Sequence, residues 1–212
     1  MGVVFLDRDG VINANRAEYV RSWEEFQFLP GALDALYLLQ QAAFRIFVVT
    51  NQAGVGRGLF TQAALDNIHH KLVRAAQQAG ARIKAVRCCP HRADEWCHCR
   101  KPQPGMLVDL AKTYTLELRE AYLVGDAASD IAAGQSVGCR TVLVRTGRGV
   151  EQLPAVERGA CTPSAVADDL LAAAHWICAA EAQAPQRWKR ATGSVQPRRG
   201  LSVGAEEPTY PC

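Results

Sequence analysis

The feature that most constrains the fold is a regular alternation of short apolar runs with longer amphipathic segments. The apolar runs are rich in β-branched and aromatic residues, which predicts buried strands at about 2–6, 45–49, 83–86, 121–124 and 141–144. The amphipathic segments predict helices at about 31–43, 61–80, 104–115, from 129 onward and 164–180, the last capped by Ser164. Strands that alternate with helices are typical of α/β proteins. We therefore expect a Rossmann-like three-layer sandwich with a mainly parallel sheet.

Polar side chains follow four of the predicted strands at the point where each strand ends. They are Asp7 and Asp9 after the first, Thr50 and Asn51 after the second, Arg100 and Lys101 beyond the third, and Asp126 with Asp130 after the fourth. Because the carboxyl ends of parallel strands meet at one edge of a sheet, we expect these groups to converge.

The chemistry of this set indicates phosphoryl transfer. Two crowded carboxylates repel each other unless a cation or a shared proton offsets the repulsion, and Mg²⁺ is the cation that suits oxygen ligands. A lysine and a hydroxyl add the positive charge and the hydrogen bond that a transferring phosphoryl group needs. Taken alone, each residue has an ordinary explanation, such as a turn, a helix cap or a solvated charge. Together, at successive strand ends, they predict an active site.

A second cluster combines cysteine and histidine. Four of the eight cysteines fall within residues 88–99, where Cys89 and His91 are followed by Cys97 and Cys99. Three thiolates and an imidazole suit tetrahedral Zn²⁺, and a site filled by four protein ligands is structural rather than catalytic. The alternative is a set of free thiols in an exposed loop. A zinc ion here would fix the loop that carries Arg100 and Lys101.

Composition divides the chain into a domain and a tail. We expect one domain over residues 1–181, with the zinc loop at 88–102, and a disordered tail over 182–212, where Ala, Gln, Pro, Arg, Gly and Ser dominate. The segments 13–29 and 88–103 are too short to form a separate lid domain. The active site should therefore be open, with specificity carried by loops, and we expect a monomer.

Charge and hydropathy exclude several function classes. The net charge of +3 resides in the tail, where five basic residues face two acidic ones, so the first 184 residues are neutral. A basic tail alone is weak support for nucleic-acid binding, which we do not expect. No apolar run reaches the length of about 18–20 residues that a membrane span needs. The first strand begins almost at once and leaves no room for a signal peptide, so we expect a cytoplasmic protein.

In this order the motifs resemble those of the haloacid dehalogenase-like phosphohydrolases, over about residues 2–150. Within that superfamily, four segments look like the D,D-heptose 1,7-bisphosphate phosphatases, namely 5–13, 49–58, 89–91 and 97–102. The segment 15–19 is more loosely similar to a substrate-contacting stretch of that family. The histidinol-phosphatase domain is a close relative that shares the zinc loop and most of the catalytic set.

The resemblance implies a role for each candidate residue. Asp7 would be the nucleophile that forms an aspartyl-phosphate, and Asp9 the general acid and base. Thr50 and Lys101 would hold the phosphoryl oxygens. Mg²⁺ would be bound by Asp7, the backbone carbonyl of Asp9, and Asp126.

Substrate choice must come from side chains around this common machinery. We expect Asn51, Gln52, Arg57 and Arg100 to bind substrate, because two arginines near one phosphate suit a doubly phosphorylated sugar. The glycine-rich segment 54–58 resembles the heptose enzymes more than the histidinol-phosphate ones. The implied activity is removal of the C7 phosphate of D-glycero-D-manno-heptose 1,7-bisphosphate, in the synthesis of nucleotide-activated heptose for lipopolysaccharide. Histidinol-phosphate hydrolysis is the alternative, and an inactive zinc-stabilised binding module is a further one.

Overall fold

A computed structural model describes residues 1–159 and 161–183. Six parallel strands form one sheet in the order β3-β2-β1-β4-β5-β6. The strands are β1 (Val3–Leu6), β2 (Arg45–Asn51), β3 (Ile83–Cys89), β4 (Ala121–Gly125), β5 (Arg140–Val144) and β6 (Ala165–Ala167). The α-helices are α1 (Ala32–Gln41), α2 (Ala53–Gly56), α3 (Gln62–Gln78), α4 (Gly105–Tyr114), α5 (Ala128–Ser136), α6 (Gly149–Arg158) and α7 (Leu170–Gln183). The expected three-layer α/β architecture is confirmed.

Side chains alternate between the two faces of the sheet along each strand, and helices pack on both faces. Successive strand side chains point to opposite faces of a sheet. Val4 and Leu6 of β1 pack on one face in a cluster with α1, α3 and α7. Val3 and Phe5 pack on the other face with α4 and α5. Both faces are covered, which is why the strands read as continuous apolar runs.

The strand order creates a switch point next to β1. The chain runs outward from β1 through β2 to β3, and then continues on the other side of β1 through β4, β5 and β6. Leu6 at the end of β1 pairs with Val124 of β4. Ligands of open α/β sheets bind in the crevice at such a point, outside the carboxyl ends of the strands. Asp7 and Asp126 are the first residues beyond β1 and β4, so both lie at this crevice.

The C-terminal part of the domain differs from the prediction. Ser164 does not cap a helix, because residues 165–167 form the edge strand β6 and the last helix begins at Leu170. The carboxylate of Asp169 accepts a hydrogen bond from the Ala172 amide (2.8 Å) and takes the capping role. The helix α6 was not predicted. The short apolar run before α7 satisfies both a strand and a helix pattern, and sheet pairing with β5 decides between them.

The glycine-rich segment also differs from the expected loop. Residues 53–56 form the single-turn helix α2. The Gly56 amide donates to the Pro90 carbonyl (3.1 Å), and a Cβ at position 56 would lie 2.5 Å from that oxygen. The glycine is therefore needed for close contact with the Cys/His segment. Thr61 caps α3 as predicted, accepting from the Ala64 amide (3.1 Å).

Residues 13–29 fold onto the domain rather than away from it. Asn13 forms isolated bridges to Asp9 and Phe28, and Trp23 stacks on Phe26 with 4.8 Å between ring centroids. Among the described residues, no helix combines the length and the apolar character that a membrane crossing requires. The tail from residue 184 lies outside the described residues, so its disorder and the domain boundary at 181 stay predictions.

Candidate active site

A buried lysine links the strand ends. Lys101 Nζ donates to Asp7 Oδ1 (2.8 Å) and to the carbonyl of Val49 (2.8 Å), and it forms an ion pair with Asp130 Oδ1 (2.6 Å). Although burial opposes the charge, Asp130 and Asp7 together raise the pKa of Lys101 above its usual value. The amide group of Asn51 holds the lysine backbone from both sides, donating to its carbonyl and accepting from its amide (3.1 Å each). Residues that are 29 to 94 positions apart in the chain thus converge at the predicted edge.

Three carboxylates lie together beside this lysine. One oxygen from each of Asp7, Asp126 and Asp130 lies within 4.8 Å of the others. Burial raises the pKa of Asp7 to about 7, against the lowering effect of Lys101. Burial also raises the pKa of Asp126. Asp126 Oδ1 is buried and has no hydrogen-bond partner among the described residues, which fits a role as a cation ligand.

Two glycines bring the backbone close to Asp126. Gly10 (φ 86°) and Gly147 (φ 59°) both adopt the left-handed conformation. A Cβ on either would clash with the Asp126 carboxylate. The Arg148 amide, next in the chain, donates to Asp126 Oδ2 (2.8 Å). The loop after β1 and the loop after β5 therefore close around one carboxylate.

Asp9 is held by three donor side chains, two from the loop after β1 and one from the residue after β2. Asn13 Nδ2 donates to its Oδ1 (2.8 Å), Gln52 Nε2 donates to its Oδ2 (2.7 Å), and Arg8 contacts both oxygens. Gln52 also donates to Thr50 Oγ1 (2.9 Å). Gln52 was expected to bind substrate, but its side chain is fully buried and joins Asp9 to Thr50 instead.

A cavity of about 410 Å³ opens over these groups. Of the predicted residues, it is lined by Asp7, Asp9, Thr50, Asn51, Arg100 and Lys101. Arg57 is exposed and does not line it, so this geometry gives no support to its predicted contact with substrate. Further lining residues are Asn15, Arg16, Ala17, Tyr19, Ala53, Ser129, Asp130 and Arg148.

Several lining residues were not among the predicted site residues. Asn15, Arg16 and Tyr19 belong to the segment 15–19, whose looser resemblance was the available signal. Arg148 was missed, although it follows the fifth strand, and the strand-end argument used for the others applies to it equally. Asp130 was expected at this edge, with a helix cap as the alternative, but no role was assigned to it. Its Oδ2 accepts from the Ala127 amide (3.0 Å), while its Oδ1 pairs with Lys101.

The Cys/His residues form a second cluster. Cys89 Sγ lies 3.7 Å from Cys97 Sγ and 3.5 Å from His91 Nδ1, and Cys99 Sγ lies 3.3 Å from the same nitrogen. Zinc–sulfur bonds of about 2.3 Å in a tetrahedron place sulfurs about 3.8 Å apart. The donor set and its spacing therefore fit Zn²⁺. Arg100 Nη1 donates to the His91 carbonyl (3.2 Å), which ties the cluster to the cavity wall.

The comparisons with known proteins agree with this geometry. A family model described as HAD-hydrolase-like matches residues 98–173. The D-glycero-beta-D-manno-heptose-1,7-bisphosphate 7-phosphatase of Bordetella bronchiseptica is 41% identical over 177 residues, which cover 84% of this chain and 98% of that protein. The enzyme of the same name from Pseudomonas putida is 39% identical over 174 residues, which cover 82% of this chain and 98% of that protein.

A solved structure shares the fold closely. The crystal structure of D,D-heptose 1,7-bisphosphate phosphatase from B. bronchiseptica, complexed with magnesium and phosphate, superposes with a TM-score of 0.79 at 40% identity. The match covers 85% of this chain and 99% of that one. The likeness therefore extends over most of the described residues.

Proposed function

Because this chain belongs to the D-glycero-D-manno-heptose-1,7-bisphosphate 7-phosphatases of the haloacid dehalogenase-like superfamily, we propose that it hydrolyses the C7 phosphate of this sugar bisphosphate. The observation that carries the proposal is the buried Lys101, held between Asp7 and Asp130 at the switch point of the sheet. The relatives named for the beta anomer make that anomer the expected substrate.

The first step is phosphoryl transfer to Asp7. An Asp7 carboxylate oxygen attacks phosphorus in line with the bond to the C7 oxygen. As that bond breaks, Asp9, protonated in the enzyme–substrate complex, gives its proton to the departing sugar oxygen. Lys101 and Thr50 bind the phosphoryl oxygens, where negative charge is spread in the transition state.

The second step releases phosphate. Asp9, now ionised, takes a proton from a water molecule as the water oxygen attacks phosphorus. The bond between phosphorus and Asp7 breaks, and the nucleophile is restored as a carboxylate. Asn13 and Gln52 each donate a hydrogen bond to one Asp9 oxygen and hold the carboxylate in place for this step.

Asp7, Asp126 and the backbone carbonyl of Asp9 would hold Mg²⁺. When bound, the ion neutralises charge on the phosphoryl oxygens and on the crowded carboxylates. Asp126 Oδ1 supports this assignment, because it is buried and its one described charged contact is with Arg148 Nη2, at 3.5 Å and without a hydrogen bond. Asp130 serves a different role, since it pairs with Lys101 and keeps that side chain extended toward Asp7.

The second phosphate of the substrate needs its own cationic site. Arg16, Arg100 and Arg148 line the cavity beyond the nucleophile. Guanidinium groups bind phosphate bidentately, so this wall suits the phosphate on C1, whereas it would repel the protonated amine of histidinol phosphate. The Zn²⁺ bound by Cys89, His91, Cys97 and Cys99 would be structural, fixing the loop that carries Arg100.

The biological setting is part of the proposal. We place the reaction in the cytoplasm, in the supply of nucleotide-activated heptose for lipopolysaccharide, with the enzyme acting as a monomer on a small phosphorylated sugar. No described part of the site favours nucleic acid, and a binding module without activity would not need the full set of Asp7, Asp9, Lys101 and Asp126.

The deciding experiment is a side-by-side assay with Mg²⁺. We expect kcat/KM for the heptose bisphosphate to exceed that for histidinol phosphate by about 100-fold or more, because only the former offers a second phosphate to the arginine wall. Both anomers of the bisphosphate are assayed separately. Asp7→Asn, which preserves shape but removes the nucleophile, should abolish turnover. A preference for histidinol phosphate, or substantial activity of Asp7→Asn, would contradict the proposal.

A further inference from the structure

Arg8 is a fully buried guanidinium between the two candidate catalytic aspartates in the sequence. Its Nε and Nη2 donate to Asp9 Oδ1 (3.2 and 3.0 Å), and Nη2 also donates to Asp9 Oδ2 (2.9 Å). Its remaining terminal nitrogen, Nη1, lies 3.1 Å from Nε2 of His69. His69 is equally buried, in the middle of α3. A side chain 61 positions away thus contacts the group that holds Asp9.

The contact fixes the chemical state of His69. A guanidinium can only donate hydrogen bonds, so His69 Nε2 accepts, and the ring is neutral with its proton on Nδ1. Burial, and then the charge of Arg8, lower the pKa of His69 well below its usual value. The imidazole therefore stays a hydrogen-bond acceptor for Arg8 over the pH range in which most enzymes work.

The chain of contacts determines where Asp9 can point. Arg8 binds one carboxylate edge as a fork, and a planar fork transmits its own orientation to the carboxylate. His69 secures the far end of that fork, because a buried guanidinium nitrogen without an acceptor is costly. The side chain of Asp9 is 17% exposed, at the cavity, so the fork sets the direction in which its oxygens face a ligand.

We propose that Arg8 and His69 are positioning residues for Asp9: His69 anchors Arg8 from α3, and Arg8 orients the carboxyl group for proton transfer to the leaving sugar oxygen. This inference rests on the proposed phosphatase function. It assigns a role in the reaction to α3, a helix that contributes no residue to the cavity wall.

Substrates with different leaving groups can distinguish a positioning role of Arg8 and His69 from a general structural role. A sugar oxygen must receive a proton as it departs, whereas the phenolate of p-nitrophenyl phosphate departs without one. The ratio kcat/KM reports only the steps up to transfer of the phosphoryl group to Asp7, so it isolates the proton donation by Asp9. A poorly oriented Asp9 therefore lowers kcat/KM for the sugar phosphate and spares the aryl phosphate.

Two amide variants of His69 form a matched pair. In His69→Gln the side-chain oxygen can occupy the position of Nε2 and accept from Arg8, while in His69→Asn the shorter side chain falls short. We expect His69→Asn to lose about 10- to 100-fold in kcat/KM for the heptose bisphosphate and less than about threefold for p-nitrophenyl phosphate. His69→Gln should restore the wild-type ratio of the two substrates. Thermal melts of all three proteins verify that the native fold is present.

Equal losses on both substrates, or no loss in His69→Asn, would overturn the positioning role. If His69→Asn does not fold, the comparison is made with Arg8→Lys, which keeps the charge but lacks the fork and should show the same selective loss. The wild-type protein separates this test from the proposed function. A wild type that turns over neither substrate refutes the function itself, whereas an active wild type with unselective variants refutes only the inference.

Discussion

At the scale of single residues, the site depends on groups that are buried despite their charge. Asp7 is 5% exposed and Lys101 is 4% exposed, and each compensates the other through a 2.8 Å hydrogen bond. Such burial is costly for an isolated ion and is retained where function needs it. The two predictions at this scale concern the space around Asp126 and the proton on Asp7.

The glycine at position 10 is needed for a steric reason as well as a conformational one. Gly10→Ala and Gly58→Ala both place a methyl group on left-handed backbone, which costs about 1–2 kcal/mol of stability. Only at position 10 does the methyl meet the Asp126 carboxylate, whereas position 58 faces open space. We expect both variants to melt earlier and only Gly10→Ala to lose activity, by about 100-fold. Equal activity of the two variants would contradict this reading.

The raised pKa of Asp7 predicts a pH-dependent affinity for Mg²⁺. In the metal-free protein burial holds the pKa of Asp7 at about 7, so below that pH a proton competes with the cation. The proton is lost as pH rises through about 7, and affinity should rise in the same window and level off above it. Below pH 7 we expect about a tenfold loss of affinity for each pH unit. Calorimetric titration at pH 6, 7 and 8 measures this slope, which Asp7→Asn should lack.

At the scale of elements, each strand end and its following loop contributes one part of the site. β1 supplies Asp7, β2 supplies Thr50 and Asn51, β4 leads to Asp126, and β5 leads to Arg148. Lys101 differs, because it follows β3 only after the Cys/His segment and depends on that segment for its place. The side-chain amide of Asn51 hydrogen-bonds to both the backbone carbonyl and the backbone amide of Lys101. The Cys/His cluster ends two residues before this lysine.

Removal of a zinc ligand should therefore disturb catalysis at a distance. In Cys97→Ala we expect zinc content to fall from one ion per chain to none, with a lower melting temperature. Activity should fall about tenfold or more, because Lys101 and Arg100 lose their fixed support. Cys178→Ala is the control, since Cys178 lies in α7 and belongs to neither cluster. Elemental analysis and kinetics test the pair, and a fully active wild type without zinc would exclude the assignment.

At the scale of the whole molecule, the cavity lies at one edge of the sheet, beside the carboxyl ends of its strands. Every lining residue falls between positions 7 and 148, and helix α7, later in the chain, packs with α1 and contributes no residue to the cavity. The basic residues of the tail lie beyond Gln183 in the sequence.

A chain truncated after Gln183 should keep its phosphatase activity. We expect kcat/KM within about twofold of the full-length value, since no residue of the site is removed. The same pair of proteins tests the tail as a nucleic-acid contact. If the tail binds RNA or DNA, salt-sensitive binding will appear in the full chain and vanish on truncation. A large loss of activity would mean that the tail reaches the site.

The sequence alone determined the fold class, the edge at which the site forms and the two clusters of candidate metal ligands. Apolar runs identify parallel strands, and the residues after each strand must meet at one edge whatever the loops do, so Asp7, Lys101 and Asp126 could be placed together in advance. The local sequence was also enough to predict Thr61 as the N-cap of α3, because capping depends only on neighbouring residues.

Tertiary structure decided what local pattern could not. Residues 165–167 form a strand because they pair with the edge of β5. The Gln52 side chain points inward, where it donates hydrogen bonds to Asp9 and Thr50. The pairing of Arg8 with His69 joins a strand end to a helix residue 61 positions away, and no spacing in the sequence encodes it. Such contacts follow from how layers pack, since burial leaves a charged side chain only those partners that the packed neighbours supply.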